Sequence, residues 1–169
     1  MSEIEFCKAT YENVSEINNI MQIAKSRIAD SSWFFADNED FIKRHITNEG
    51  FIIKAVIDQH ISGFLIVRFP GVAKDNLGNY LHLDQIELMK VAHMESTAVL
   101  PEYRGRHILY SLINCAESYL EPTDYSRFMA TVHPDNKYSW RNLERLGYNI
   151  LLSIEKKGYL PRHVVCKMK

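Results

Sequence analysis

Residues 50–69, which read GFIIKAVIDQHISGFLIVRF, limit the fold of this chain more than any other segment. They form two apolar runs rich in β-branched and aromatic residues, and the polar break near Asp58–His60 predicts a hairpin turn between two strands. A strand with one face in solvent alternates apolar and polar residues, whereas these runs are nearly continuous. Both faces of the sheet are therefore expected to be covered, which predicts an α/β fold with helices around one central sheet.

The remaining segments supply the expected helices and further strands. Apolar residues at helical spacing predict helices over 13–28, 37–46, 105–120 and 135–146. Shorter runs predict strands over 4–10 and 126–133, one that ends near Leu100, and an antiparallel pair at 148–158 and 162–168. We find no internal repeat, and 169 residues are the size of one ordinary domain, so the whole chain, 1–169, is expected to form a single domain.

Three polar residues are expected to begin helices. Asn13, with Glu16 three residues later, resembles a capping box, and Asp37 and Asp135 are N-cap candidates for the second and the last helix. Residues 70–86 are expected to form a long loop, which in a compact domain is usually functional or mobile.

Composition excludes several classes of function. The chain has 20 basic and 21 acidic residues and a formal charge of −1, so it lacks the global positive field that holds nucleic acid, and no nucleic-acid partner is expected. No apolar run approaches the roughly 18 to 20 residues of a membrane span, and the opening MSEIEFCKAT lacks the layout of a secretory signal. We therefore expect a cytoplasmic protein without a membrane partner.

The cysteines, Cys7, Cys115 and Cys166, are odd in number and widely spaced. This pattern matches neither a disulfide framework nor a zinc motif. We therefore expect buried free thiols in a reducing compartment, and no metal.

The segment STAVLPEYRGRHILYSLINCAESYL, residues 96–120, predicts a strand, a proline corner, a basic turn and a helix. A helix start exposes unpaired N–H groups and a partial positive charge, and Arg104 and Arg106 add full charges there. Main-chain amides from Arg104 to Leu109 are therefore expected to converge on one anion, and a diphosphate suits such a site better than a single carboxylate. From this corner alone, an exposed basic turn that only solvates the helix end explains the pattern equally well.

This corner and a second segment together resemble a known family. VLPEYRGRHI (residues 99–108), followed by VHPDNKYSWRNLERLGY (residues 132–148), is similar in order and spacing to two motifs of the GCN5-related N-acetyltransferase (GNAT) family. The resemblance implies a mixed, mostly antiparallel central sheet flanked by helices on both faces. It also implies acetyl-CoA as co-substrate, with its pyrophosphate in the first segment and its pantetheine arm beside the helix of the second.

The family's loop begins with Gln or Arg, and Arg104 fills that place here. Small residues are usual at the positions of His107 and Leu109, and Gly105 lies outside those positions. The departure matters because glycine lets the backbone approach phosphate oxygens closely. The cofactor-binding residues that the resemblance implies are Val99, Leu100, Arg104, Gly105, Arg106, His107, Ile108, Leu109 and Asn136.

Within that set, the residues nearest the thioester have expected roles. The N–H groups near Val99 and Leu100 are expected to bind the pantetheine arm and to polarise the thioester carbonyl, because fixed amides stabilise the negative charge that develops there. Asn136 is expected either to contact the cofactor arm or to cap the helix that follows it.

Acetyl transfer to an amine also requires groups that accept and donate protons. Glu95 is the candidate base, since the family often has a glutamate in this part of the strand, and His93 is expected to share its face. The acid that protonates the thiolate is often a tyrosine in this family, but Leu143 occupies its position here. Tyr138 lies nearby on a different helical face and is a candidate substitute.

The acceptor is expected to be a primary amine of a small molecule or a peptide. The segments that the cofactor constrains least are the first two helices, with SSWFFADNEDF at residues 31–41, and the loop 70–86. Acidic residues there, among them Asp37, either attract a cationic amine or solvate the surface. Two alternatives stay open, namely a non-catalytic acyl-CoA-binding module and a partner-binding domain with a degenerate site, and a homodimer is compatible with the sequence.

Overall fold

The computed structural model describes residues 2–169, and its centre is one seven-stranded sheet. The strands are β1 (Glu5–Lys8), β2 (Gly50–Ile57), β3 (His60–Arg68), β4 (Val91–Val99), β5 (Arg127–Val132), β6 (Asn149–Lys156) and β7 (Leu160–Met168). Their order across the sheet is β1-β2-β3-β4-β5-β7-β6, and neighbouring strands are antiparallel except for the parallel pair β4 and β5. This confirms the predicted α/β class with a mostly antiparallel central sheet.

Helices cover both faces of the sheet. The α-helices of the described chain are α1 (Val14–Ser26), α2 (Glu39–Thr47), α3 (Gln85–Leu88), α4 (Ile108–Leu120) and α5 (Lys137–Arg145). Alternate residues of the central strands face opposite layers: Ile52 and Phe64 pack with α1 and α2, whereas Ile53 and Leu65 pack with α4 and α5. Burial of β2 and β3 on both faces therefore explains their nearly continuous apolar runs, as predicted.

The hairpin between β2 and β3 turns at Asp58 and Gln59, whose φ values are 48° and 68°. Two successive left-handed residues match the right-handed twist of strands joined by a two-residue turn. This confirms the turn that the sequence predicts.

The predicted capping box of α1 is wrong. The Asn13 side chain accepts a hydrogen bond from the Thr10 N–H at 2.9 Å, which lies before the helix. Glu16 turns to the sheet and accepts the Ile61 N–H at 3.0 Å. A contact between residues so distant in sequence leaves no local signal.

The other two predicted caps are each displaced by one residue. Asn38 caps α2, one position after the predicted Asp37, and Asn136 caps α5, one position after the predicted Asp135. Aspartate and asparagine both cap well, so residue type alone does not choose between adjacent candidates.

Residues 70–86 contain more structure than predicted. A short 3-10 helix spans Leu77–Leu81, and α3 follows it. The buried Asn76 side chain donates to the carbonyls of Gly71 and Leu88 at 2.6 and 3.2 Å. These bonds fix the segment beside the sheet.

All three cysteines are free thiols, as predicted. Cys166 is buried, whereas Cys7 and Cys115 are half-buried, and burial raises the pKa of each thiol. Among residues 2–169, no helix combines the length and the apolar character that crossing a bilayer requires.

Candidate active site

A cleft opens where β4 and β5 part. These parallel strands pair at Val91–His93 and Arg127–Met129, and their later residues line a cleft of about 590 Å³. The register between β3 and β4 skips Glu95, which makes it the extra residue of a β-bulge. A bulge bends a strand and re-aims its side chains, and it lies here at the point of parting.

The corner after β4 has an unusual backbone. Pro101–Tyr103 form a 3-10 turn, and Gly105 and His107 then have left-handed φ values of 79° and 58°. A left-handed residue does not continue an α-helix, so α4 begins at Ile108 rather than at the predicted Gly105. Successive residues of opposite handedness turn their N–H groups toward one point, which is the geometry of an anion-binding nest.

The N–H groups of this corner are available to a ligand. From Gly105 to Tyr110, no main-chain N–H has an acceptor within residues 2–169. The Ser111 N–H is the first to donate into the helix, to the His107 carbonyl at 3.0 Å. A helix start alone leaves about four such groups, and here the unpaired run begins earlier, in the nest. We call this run, Gly105–Tyr110, the amide nest.

The two arginines of the corner point in different directions. Arg104 lines the cleft, whereas Arg106 donates from Nη2 to the Ser2 carbonyl at 3.0 Å. The Arg104 N–H itself is used within the turn, where it donates to the Pro101 carbonyl at 3.3 Å. Of the two corner arginines, only Arg104 therefore brings its charge to the cleft, and Arg106 lies outside the cleft lining.

The last N–H groups of β4 divide between the sheet and the cleft. Leu100 donates to the Ser62 carbonyl at 2.9 Å, so its N–H is not free for the cofactor role expected from the sequence. Hydrogen-bonding direction alternates along a strand, so the Val99 N–H points away from β3 and toward the gap left by β5. Val99 is therefore the amide that the strand presents to the cleft.

Glu95 and His93 meet as predicted. Nδ1 of His93 lies 3.2 Å from Oε2 of Glu95, and Nε2 of His93 accepts the Leu77 N–H at 3.1 Å. Because Nε2 accepts, the proton of the neutral ring is on Nδ1 and is donated to Glu95. Burial acts to raise the pKa of the Glu95 carboxyl, but this hydrogen bond and the charges of Lys156 and Arg68 outweigh it and lower the pKa below the usual range.

The loop 70–86 supports Glu95 from behind. Asp75 accepts two hydrogen bonds from the Arg68 guanidinium, at 2.8 and 2.9 Å, and Nη1 of Arg68 lies 4.0 Å from Oε1 of Glu95. Residues 70–86 all lie outside the cleft lining. The structure places this loop behind Glu95, and its part in selecting the acceptor stays a prediction.

A second carboxyl group, Asp37, lies in the cleft wall. Its Oδ2 accepts the Ser96 hydroxyl at 2.6 Å. Burial raises the pKa of the Asp37 carboxyl against the effect of that hydrogen bond, and the negative charge of Glu95 adds to the rise. Two nearby carboxyls whose pKa values are displaced in opposite directions are typical of sites that move protons.

Helix α5 brings Asn136, Tyr138 and Leu143 to the cleft. Oδ1 of Asn136 accepts the Ser139 N–H at 3.2 Å, so this residue caps the helix, and the cap uses only its oxygen. Leu143 is buried where the resemblance places a tyrosine. Burial raises the pKa of the half-exposed Tyr138 phenol while Arg104 opposes the rise, so Tyr138 stays protonated at neutral pH.

The connection between α1 and α2 forms the opposite wall of the cleft. The aromatic residues 33–35, which belong to the segment expected to select the acceptor, all line it. Trp33 stacks on His133, with 5.9 Å between the ring centroids. His133 follows β5 and accepts the Asp135 N–H on Nδ1 at 3.1 Å, which fixes the orientation of the stack.

Sequence reasoning misses Arg162, which lines the cleft from β7 and is 3% exposed. A signal exists, because alternation along β7 places Arg162 on the same face as Leu160, Val164 and Cys166, all of which are buried. A charged residue at an inward position of an apolar strand is rare unless it has a specific partner. The sequence does not show that this position lies beside residues 31–41.

A model of the Acetyltransferase (GNAT) family matches residues 15–148, a span that contains the parting strands, the amide nest and α5. Among curated proteins, none matches the chain.

Solved structures share the fold at low sequence identity. Arabidopsis thaliana NAA60, in complex with acetyl-CoA, is 13% identical, with coverage of 99% of this chain and 100% of that one and a TM-score of 0.77. The ribosomal-protein-S18-alanine N-acetyltransferase from Escherichia coli is 13% identical, with coverage of 98% and 94% and a TM-score of 0.73. Arabidopsis thaliana Naa50, in complex with the bisubstrate analogue CoA-Ac-MVNAL, is 13% identical, with coverage of 97% and 97% and a TM-score of 0.70.

Likeness at these identities establishes the fold, and the family match extends over most of the chain. The chain belongs to the acetyltransferase (GNAT) family and is an acetyl-CoA-dependent acyltransferase.

Proposed function

We propose that this chain, as a single domain, transfers the acetyl group of acetyl-CoA to a primary amine of a small molecule or a peptide by direct attack. The observation that carries the proposal is the amide nest, Gly105–Tyr110, whose N–H groups have no acceptor within residues 2–169. Unpaired amides at a helix start, beside Arg104, suit the oxygens of a diphosphate. The cleft of about 590 Å³, which Arg104 and Leu109 of this corner line, is large enough for an extended arm and an acceptor.

Residues along the cleft supply the other binding functions. The Val99 N–H points into the gap between β4 and β5, where it can donate to the oxygen of a thioester. Asn136 and Tyr138 also line the cleft and offer polar contacts for the pantetheine arm. The thioester supplies an acyl carbon that an unprotonated nitrogen attacks, with departure of the thiolate.

Proton transfer from the amine is assigned to Glu95, through water. His93 is a positioning residue, because both of its ring nitrogens are engaged, one with Glu95 and the other with the Leu77 N–H. The lowered pKa keeps Glu95 ionised at neutral pH, so it can bind an ammonium and accept its proton through water. Asp37 places a second carboxyl group on the same wall.

Tyr138 is the candidate acid for the thiolate, since its phenol is protonated at neutral pH and lines the cleft. Leu143 occupies the usual tyrosine position and cannot supply this proton. Tyr138→Phe tests the assignment. If Tyr138 is the acid, the variant loses turnover with little change in acetyl-CoA affinity, and unchanged turnover would mean that solvent protonates the thiolate.

Two measurements test the proposed function. Saturating acetyl-CoA should raise the melting temperature by about 5 °C or more, since a ligand at 100 times its Kd stabilises the folded state by about 2.7 kcal/mol. Release of free thiol with a panel of primary amines should then show turnover. Stabilisation without thiol release would favour the binding module, and no stabilisation would favour a partner-binding domain with a degenerate site.

The free thiols are compatible with a reducing, cytoplasmic location.

His107→Gly should preserve or raise the affinity for acetyl-CoA. A side chain at the left-handed φ of His107 costs about 1 kcal/mol that glycine does not incur, and glycine allows closer approach of the diphosphate. Calorimetric titration measures the Kd. Gly105→Ala is the matched contrast, because it adds strain at φ 79° and should weaken binding severalfold. A large loss in His107→Gly would show instead that the imidazole itself contacts the ligand.

A further inference from the structure

The lining of the cleft includes a buried guanidinium. Arg162 is 3% exposed, and its Cζ lies 5.5 Å from the ring centroid of Phe35. Nη1 donates to the Pro161 carbonyl at 2.8 Å and Nη2 donates to the Ser32 carbonyl. A guanidinium has five N–H donors, so these neutral carbonyls leave donors unused and the charge uncompensated.

No carboxylate within residues 2–169 forms an ion pair with Arg162. A buried charge without a counter-ion is costly, which is why buried arginines are nearly always paired. Burial also lowers the pKa of this guanidinium below its usual value. The expected complement of such a group is an anion that arrives with a ligand.

Other charged side chains line the same cleft as Arg162. Lys156 and Lys157 are among them, and Nζ of Lys157 lies 4.2 Å from the centroid of the Phe35 ring, which Arg162 also contacts. The carboxyl groups of Asp37 and Glu95 line the cleft as well. The cleft therefore combines basic groups for an anion with acidic groups for an amine.

This basic group is separate from the diphosphate site. Arg162 shares a face of β7 with Val164, whose cluster contains Leu77 and not α4 or α5. The amide nest opens α4, on the opposite face of the sheet. An anion at Arg162 therefore belongs to the acceptor rather than to coenzyme A.

We propose that the acceptor is an amine that also carries a carboxylate, with its nitrogen at Glu95 and Asp37 and its carboxylate at Arg162. This inference rests on the proposed function and names its substrate class. A free amino acid and the acidic first residue of a peptide present the same two groups. Arginine holds a carboxylate in a planar, paired geometry, and Lys156 and Lys157 add positive charge in the same cleft.

Matched acceptors test the proposal through kcat/KM for acetyl transfer. 4-Aminobutyrate is compared with butylamine, and the peptide amide Asp-Ala-Ala is compared with Asn-Ala-Ala. The carboxylate-bearing member of at least one pair should be preferred by about tenfold or more. The analogue without a carboxylate leaves the buried charge of Arg162 unpaired and is therefore disfavoured. Preference in the first pair identifies a free amino acid as the source, and preference in the second identifies a peptide. A ratio near one in both pairs overturns the inference.

Variants then locate the contact. Arg162→Met should reduce the preference to a ratio near one, whereas Lys74→Met, a charge deletion outside the cleft, should leave the ratio as in the wild type. The Kd for acetyl-CoA checks that each variant is folded. If Arg162→Met does not fold, the double variant Lys156→Met, Lys157→Met should lower the preference severalfold. A folded Arg162→Met, or a double variant, with the wild-type ratio contradicts the inference.

Different results would contradict the proposed function and the proposed substrate class. If acetyl-CoA binds, and amines without a carboxylate are acetylated with the same kcat/KM as the matched amines that carry one, only the inference about substrate class fails. If acetyl-CoA binds and neither class of amine is acetylated, the proposed function fails and the inference fails with it.

Discussion

Arg104→Glu is expected to weaken acetyl-CoA binding about 100-fold, because the substitution replaces attraction for the diphosphate by repulsion. Arg104 is the corner arginine whose side chain lines the cleft. The neutral Arg104→Gln should weaken binding by a smaller factor, about tenfold. Calorimetric titration at fixed salt gives the Kd of each variant. Because salt screens charge, the Kd values of the wild type and the variants should differ less as the salt concentration rises.

Arg106→Gln is the matched control for Arg104→Gln. The Arg106 guanidinium donates to the Ser2 carbonyl, so its loss should change the Kd by less than about threefold. Equal effects of the two substitutions would mean that the corner acts only through its summed charge. An unchanged Kd in Arg104→Glu would place the diphosphate elsewhere.

Glu95→Gln is expected to lower turnover by about 100-fold near pH 6.5, in the range that general-base groups usually contribute. The loss should shrink as the pH rises toward the pKa of the amine, because more acceptor is then unprotonated without help. The lowered pKa of Glu95 has a further consequence. The Glu95 carboxylate of the wild type stays ionised until the pH falls below the range in which glutamate usually titrates. Protonation of Glu95 therefore causes no loss of activity above that range.

A pH–rate profile of both proteins with one amine checks this prediction. Glu87→Gln is the control, since Glu87 pairs with Arg127 and Lys90 and lies outside the cleft lining. The Kd for acetyl-CoA should be the same in all three proteins. Parallel profiles, with a loss that does not depend on pH, would remove Glu95 from proton transfer.

The parts of the fold that are predictable from the sequence are those set by local pattern. Continuous apolar runs in β2 and β3 predict a sheet covered on both faces, and the polar break at Asp58 and Gln59 predicts the turn. The corner after β4 is identified by its proline and its arginines. Of its two left-handed residues, the sequence indicates only one, because glycine is expected at positive φ, as at Gly105, whereas histidine, as at His107, is not.

The features that sequence analysis misses depend on contacts between distant segments. Asp37 is a plausible helix cap by type, but the fold brings it to Ser96, and Asn38 takes the cap. Glu16 bonds to the backbone of Ile61 for the same reason. Arg162 is placed in the cleft because β7 inserts between β5 and β6, an order that no local pattern specifies.

A crystal structure with bound acetyl-CoA would show whether the amide nest holds the diphosphate. We expect phosphate oxygens within about 3.2 Å of several main-chain nitrogens between Gly105 and Tyr110, with the Arg104 guanidinium beside them. A diphosphate bound away from these nitrogens, with the nest filled by the protein's own side chains, would contradict this expectation.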